Sequence, residues 1–303
     1  MSDVTQRRST VAVFGEMLVD AFPDRSVLGG APLNVAFHLK RFGLDPVLVT
    51  RVGTDEDGDR LVAQITSAGL DTSGVQRDPD HPTGRVRITL DDGGHRFEIL
   101  ENQAYDFVDP VRVAELAATI APGLFYFGTL AQRADVSRRA LDTLLDVWDC
   151  PRWLDINLRS PFDDPEVIRC SLEAADHVKL NDGELETVAA LYGFGGRDAV
   201  AWAGALIGAC RLASVVVTCG ADGAWSLDAG GTYVRVEGKP LATPLADTVG
   251  AGDGFAAVSI VGLVRGWPAR ETLERADAFA RAICGTHGAI PQDPAFYTPF
   301  LVQ

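Results

Sequence analysis

The chain has 303 residues, 47% of them hydrophobic, with a mean hydropathy of +0.07: a folded globular protein, long enough for one large α/β domain or two small ones. Lys and Arg number 27 against 42 Asp and Glu, a formal charge of −15, which argues against nucleic acid or an anionic membrane as partner because both need a basic face. No apolar run approaches the ~20 residues of a membrane span, and the polar start from Met1 to Thr10, with Arg7 and Arg8, does not read as a signal peptide. Cys150, Cys170, Cys210, Cys219 and Cys284 are scattered without C-x-x-C spacing and read as reduced thiols of a cytoplasmic protein.

Thr10 to Phe14 (TVAVF) is apolar and rich in β-branched residues, the pattern of a buried first strand ending at Gly15. Asp20 follows five residues later. Leu28-Gly29-Gly30-Ala31-Pro32 leads into a helix carrying Leu33, Ala36, Phe37 and Lys40, with Pro32 suited to its first turn. Asn34 falls in that turn, where propensity alone favours a local capping contact. Pro46 to Val52 reads as a strand, and 55 to 68 as a helix stopped by Gly69. Then the period changes: Arg85 to Leu90 and His95 to Leu100 alternate around Asp91-Asp92-Gly93-Gly94, a hairpin with one apolar face. It interrupts the β-α rhythm and so belongs to a small sheet standing off the main body.

After Pro110 the rhythm returns. Strands are expected at 123–127, 152–157, 177–180, 214–218 and 232–236, with helices at 136–147, 166–175, 199–210 and 270–286. Asp198 suits an N-cap, Asn181-Asp182-Gly183-Glu184 opens a further helix, and 219–223 is a glycine turn. Strands alternating with helices imply a mostly parallel central sheet with helices on both faces. Ligands of such sheets bind at the carboxyl ends of the strands. Asp20, Asn157, Asn181 and Thr218 all fall at or just beyond those ends.

The stretch Asp247-Thr248-Val249-Gly250-Ala251-Gly252-Asp253 precedes a strong helix pattern, expected from Ala251 to Gly266. A Gly-Ala-Gly turn at a helix start has no bulk over its backbone, so its N–H groups and the helix dipole can face an anion. Asp253 lies in the first turn, where a carboxylate is stabilised and can act as a base. An anion cradle beside a base suits phosphoryl transfer. No Gly-Lys-Ser/Thr follows, so this is not a Walker A loop. Phe255 occupies the third glycine position of a dinucleotide fingerprint, so it is not that either.

Two signatures resemble those of the ribokinase-like (PfkB) carbohydrate kinases, and the resemblance runs along essentially the whole chain. Gly29-Gly30-Ala31-Pro32-Leu33-Asn34-Val35-Ala36, with Leu39 and Gly43, resembles the N-terminal sugar-binding motif, and Asp247 to Asp253 the C-terminal motif. The resemblance implies one kinase domain over 1–303, with a β-lid drawn from about 16–30 and 75–107 that includes the hairpin. It implies that Asp20, Gly30 and Asn34 bind sugar, that Asp253 is the catalytic base, and that Gly250, Ala251 and Gly252 form the anion hole. By the same resemblance, Asn181 and Glu184 are the N-x-x-E element that orders Mg²⁺ through its water. Thr218, Gly220 and Gly223 match the nucleotide loop, and Gly288 a glycine near the adenine. Asp247 and the Val249 carbonyl stand where some members hold a monovalent cation such as K⁺. ATP and a small sugar are the implied partners, and a homodimer through the lid is a candidate assembly.

Gly15-Glu16-Met17-Leu18-Val19-Asp20 and Asp155-Ile156-Asn157-Leu158-Arg159 are similar to the G-E-x-L-x-D and D-P-N-L-R segments of bacterial fructokinases, with Ile156 in place of proline. That likeness adds Asn157 and Arg159 to the substrate site and makes fructose the expected sugar. The segment 97–106 departs from the fructokinase pattern, and it lacks the Tyr-Tyr-Arg of 2-keto-3-deoxygluconate kinases. Ribose, 2-keto-3-deoxygluconate and a nucleoside therefore stay as alternative substrates. A sugar-binding regulator without catalysis stays as the alternative of another class.

Overall fold

The computed structural model describes residues 9–22, 26–91 and 94–301; the polar start and the expected turn at Asp92-Gly93 lie outside them. β1 (Thr10–Phe14) sits inside a nine-stranded sheet. Its residues alternate between two cores, with Val11 and Val13 on one face and Ala12 and Phe14 on the other. That is why the strand is apolar throughout rather than at every second position.

The remaining strands of this sheet are β4 (Asp45–Gly53), β5 (Val75–Asp78), β8 (Leu124–Gly128), β9 (Arg152–Asp155), β10 (His177–Asn181), β11 (Ser214–Thr218), β12 (Gly223–Asp228) and β13 (Tyr233–Glu237). Their order is β13-β12-β11-β10-β9-β8-β1-β4-β5. Pairing is parallel from β11 to β5, and β12 and β13 close one edge antiparallel.

One face is covered by α1 (Ala31–Arg41), α2 (Glu56–Ser67), α8 (Ala251–Arg265) and α9 (Ala269–Ile283). The other is covered by α3 (Pro110–Ala117), α4 (Asp135–Val147), α5 (Pro165–Ala174), α6 (Asp182–Tyr192) and α7 (Ala199–Cys210). The caps follow the local chemistry. Asp198 accepts from the Val200 amide at the start of α7, and Gly69 takes a left-handed φ of 75° just past α2. Among the described residues, no helix is long and apolar enough to cross a membrane.

A second sheet stands apart, in the order β3 (Ser26–Gly29), β2 (Leu18–Ala21), β6 (Gly84–Asp91), β7 (Gly94–Ile99). The hairpin is therefore no stray edge: β6 pairs parallel with β2, and Asp20 faces Val86 in register. The central sheet is mostly parallel, and the small sheet is separate from it, as the pattern implied.

Four expectations change. Residues 75–78 form β5 and pair with β4, so the second segment of the small sheet begins at Gly84 rather than at 75. β12 was hidden because Gly223 both ends a turn and starts a strand, and α3 because it is only eight residues long. β9 stops at Asp155 rather than Asn157. The Ile156 amide still reaches the Lys179 carbonyl at 3.1 Å, but Asn157 then turns left-handed with φ 41°.

Candidate active site

A cleft of about 450 Å³ opens at the carboxyl ends of β1, β8, β9 and β10, under the small sheet. Most of the residues singled out in sequence line it: Asp20, Gly30, Asn34, Asn157, Arg159, Val249, Gly250, Gly252 and Asp253. Glu16 and Lys179 line it too, and the sequence reading gave neither a role. Leu18, Val86 and Ile99 bring an apolar wall from the small sheet.

The floor is the start of α8. Gly250 caps the helix with φ 80°, so the turn needs a residue without Cβ strain. The amides of Gly252 and Asp253 lie in the first turn, where no intrahelical acceptor exists, and they form the positive end of the helix dipole. Ala251 departs from the expected anion hole: its N–H turns back to the Thr248 carbonyl at 3.3 Å, and it is not among the cleft-lining residues.

Asp253 is half-buried, and its Oδ2 accepts from Asn34 Nδ2 at 2.7 Å. The local capping contact expected for Asn34 is thus replaced by one to a carboxylate on another helix. Burial raises the Asp253 carboxyl to about 6. The Asn34 hydrogen bond opposes this, Asp155 adds to it, and Lys179 and Arg159 oppose it. At neutral pH the group remains a carboxylate that can accept a proton.

Two further acids crowd the same space. Glu16, 5% exposed, is raised to about 7, chiefly by burial, while Asp20 is raised to about 6 for the same reason. Arg159 lowers both and Asp253 raises both. Glycines make the close approaches possible. A Cβ on Gly30 (φ 109°) would fall 2.5 Å from the Glu16 carbonyl oxygen, and one on Gly29 would fall 2.6 Å from Asp20 Oδ2.

Lys179 closes the back of the cleft. Its Nζ donates to both oxygens of Asp155, at 2.9 and 3.0 Å, and the two side chains are 7% and 1% exposed. Burial pulls the ammonium down, but Asp155, Glu184 and Asp253 together outweigh it and the group ends above its ordinary value.

The remaining expected residues lie along the neighbouring strand ends rather than in this cleft. Asn181 and Thr218 face each other in register at the ends of β10 and β11. Asn181 and Glu184 form a reciprocal cap on α6, with the Glu184 amide donating to Asn181 Oδ1 and the Asn181 amide to Glu184 Oε2, both at 2.8 Å. Glu184 Oε1 accepts from the Leu158 amide at 2.9 Å, which ties this cap to the Asn157 loop. The turn from Thr218 is closed by the Cys219 amide on the Gly223 carbonyl at 2.8 Å. Gly220 and Gly223 take φ of 54° and 92°, and a Cβ on Gly223 would fall 2.2 Å from the Val236 carbonyl oxygen. Gly288, φ 79°, sits in the turn beside Ala289, which packs on Gly250. Asp247 Oδ1 accepts from the Val249 amide at 3.0 Å, so the acid and the Val249 backbone lie together at the approach to α8.

A model of the pfkB family carbohydrate kinases matches residues 9–295. Probable fructokinase-2 of Arabidopsis thaliana is 27% identical over 318 residues, covering 95% of this chain and 93% of the relative. Fructoselysine 6-kinase of Escherichia coli K12 is 26% identical over 298 residues, covering 92% and 99%. Among solved structures, a fructokinase double mutant from Vibrio cholerae O395 with fructose, ADP and potassium ion bound superposes with a TM-score of 0.79. It is 24% identical, and the match covers 98% of this chain and 99% of that one.

Proposed function

The chain belongs to the pfkB family of carbohydrate kinases, and from that premise we propose that it transfers the γ-phosphate of ATP to a hydroxyl of a small sugar, fructose before others. The observation that carries the mechanism is the Asp253 carboxylate in the first turn of α8, held by Asn34 and open to the cleft. The fructokinase relatives and the Gly15–Asp20 and Asp155–Arg159 segments support the choice of sugar.

The sugar lies between the small sheet and α1, with Asp20, Gly30, Asn34 and Asn157 within its reach. Asn157 holds its left-handed backbone because the loop around it is pinned. Thr129 Oγ1 donates to the Ile156 carbonyl at 2.7 Å, and Glu184 holds the Leu158 amide. The nucleotide lies along the ends of β10 to β12, past Asn181, Thr218, Gly220 and Gly223, with Gly288 toward the adenine.

Asp253 takes the proton of the attacking hydroxyl as that oxygen approaches the γ-phosphorus. The first-turn amides of α8 hold the charge that develops, and Arg159 faces it from the rim of the cleft. The small sheet, closing, excludes the water that would otherwise accept the phosphoryl group. Shortening the β6–β7 hairpin should therefore harm sugar use and spare ATP binding.

Both Glu184 oxygens already accept backbone N–H groups. Their remaining lone pairs suit water of a Mg²⁺ shell better than direct ligation. When bound, Mg²⁺ would supply charge neutralisation to the phosphates. Asp247 and the Val249 carbonyl offer oxygen to a monovalent cation beside the anion turn. The test is a panel of sugars with ATP, reading ADP release. Fructose should give the highest kcat/KM; equal or better turnover of ribose, 2-keto-3-deoxygluconate, fructoselysine or adenosine overturns the sugar assignment. ADP release indifferent to every sugar overturns the reaction.

A further inference from the structure

Lys179 is a cation in the cleft to which the mechanism above gives no task. It lies on β10, two residues before Asn181, and its side chain is 7% exposed. An ammonium has three N–H donors and no acceptor. Two of them go to Asp155, at 2.9 and 3.0 Å. The ammonium also lines the cleft with Gly250, Gly252 and Asp253, and lies 3.5 Å from the point where a Cβ on Gly252 would stand. It is therefore seated against the anion turn, within ordinary van der Waals reach of position 252.

A buried ion pair is expensive to desolvate and is often replaceable by apolar residues without loss of stability. Packing alone therefore gives no reason for this pair at the back of a cleft. The local charge gives one. Glu16, Asp20 and Asp253 surround the place where a phosphoryl group would arrive, in a chain whose formal charge is −15. A polyanion needs a fixed cation there, and Arg159 is exposed at the rim. Asp155 holds the ammonium in one orientation, and a donor already in place when charge develops costs no reorganisation during the reaction.

We infer that Lys179, held by Asp155, is a further catalytic residue, donating its third N–H to an oxygen of the γ-phosphoryl group as that group crosses the Gly250–Gly252 turn. The inference rests on the phosphoryl-transfer reading. In the step, the bond from the γ-phosphorus to the bridging oxygen breaks, and ADP leaves with that electron pair. The bond from the sugar oxygen to phosphorus forms, the hydroxyl proton passes to Asp253, and Lys179 keeps its own protons throughout.

The test separates the γ-phosphate from the rest of the nucleotide. ATP and ADP affinities are measured by calorimetry on the full chain, wild type and Lys179→Met, beside kcat with the best sugar of the panel. ADP affinity should stay within about twofold, while the preference for ATP over ADP falls tenfold or more. Turnover should fall about 10²-fold, the scale of one lost oxyanion donor. Lys179→Arg, which keeps the charge, should retain more of both than the methionine variant. Should Lys179→Met fail to fold because Asp155 is left as a lone buried charge, Asp155→Asn with Lys179→Met removes both charges and is read the same way. An unchanged ATP-to-ADP ratio with kcat within twofold of wild type overturns the inference and leaves the kinase reading standing. A wild-type chain that binds neither nucleotide overturns that reading, and the inference with it.

Discussion

The side-chain amide of Asn34, on α1, donates to the carboxylate of Asp253, on α8, across 219 positions of the chain and 2.7 Å of space. α1 and α8 pack against each other in the same core, which brings the two motifs of the sequence into contact. The bond favours the charged form of Asp253 and fixes its direction. Asn34→Ala removes a hydrogen bond to a charged group, worth about 1.5–3 kcal/mol. At about 1.36 kcal/mol per decade, kcat should fall by roughly ten- to a hundredfold. The acid limb of the pH–kcat profile should also move to higher pH. A variant whose limb stays in place would show that the contact does not serve the base.

Asp253→Asn tests the base directly. A positioned base contributes about 10²–10⁴-fold, so kcat should drop by that factor, about 3–5 kcal/mol of barrier. ATP affinity should hardly change, since backbone amides do not depend on the side chain. The pH dependence has a definite sign. The carboxyl is raised to about 6 and works only when ionised, so wild-type kcat should be level above pH 7 and fall about tenfold per unit below about 6. Turnover that survives the substitution within a few-fold would remove Asp253 as the base.

The lining of the cleft was legible where one residue type and its local backbone place a side chain there. Asp253 follows a Gly-Ala-Gly turn, and Asp20 and Asn157 follow apolar strands, so position along the chain is enough. Lys179 was not legible. In His177–Asn181 it reads as the odd polar residue of a short strand, and its partner Asp155 is 24 positions away on the neighbouring strand. Only the β9–β10 register, which sets Lys179 opposite Asp155, makes them a pair. Glu16 stands in a motif, but nothing in sequence says that a carboxyl after Gly15 will be buried. The fold read well where the period was long. It failed at β12 and α3, where a short element begins on a glycine or a proline that doubles as turn chemistry.

Glu16 makes a prediction about stability rather than rate. Its carboxyl moves from an ordinary 4.5 to about 7 on folding, mainly through burial. Between those values the folded chain holds a proton that the unfolded chain has released. Stability from this group is therefore full below 4.5 and is lost as pH rises toward 7. Glu16→Gln cannot ionise, so it should flatten that part of the curve. The shift corresponds to about 3 kcal/mol at 1.36 kcal/mol per unit. Urea unfolding of both proteins at pH 4.5 and pH 8 measures it: the variant should gain relative to wild type on going to pH 8. Parallel pH curves would mean that folding does not shift the Glu16 carboxyl.

Gly250 and Gly266 flank the same helix, both left-handed, with φ of 80° and 70°, and alanine at each should have different consequences. At Gly266 a Cβ would meet nothing within 4 Å, so the substitution costs only backbone strain, about 1–2 kcal/mol. At Gly250 the same Cβ would fall 2.3 Å from the Ala289 Cβ and 2.5 Å from its Cα. The Cα is backbone and cannot rotate away, so either the segment carrying Ala289 moves or the anion turn does. A displacement near 1 Å at a catalytic centre can cost about 10²-fold in rate. Gly250→Ala should therefore lower kcat by ten- to a hundredfold and lower Tm more than Gly266→Ala does, while Gly266→Ala keeps kcat near wild type. Thermal melts beside sugar-dependent ADP release decide it. Equal losses of kcat at the two ends of α8 would mean that the turn at Gly250 does not set the geometry of transfer.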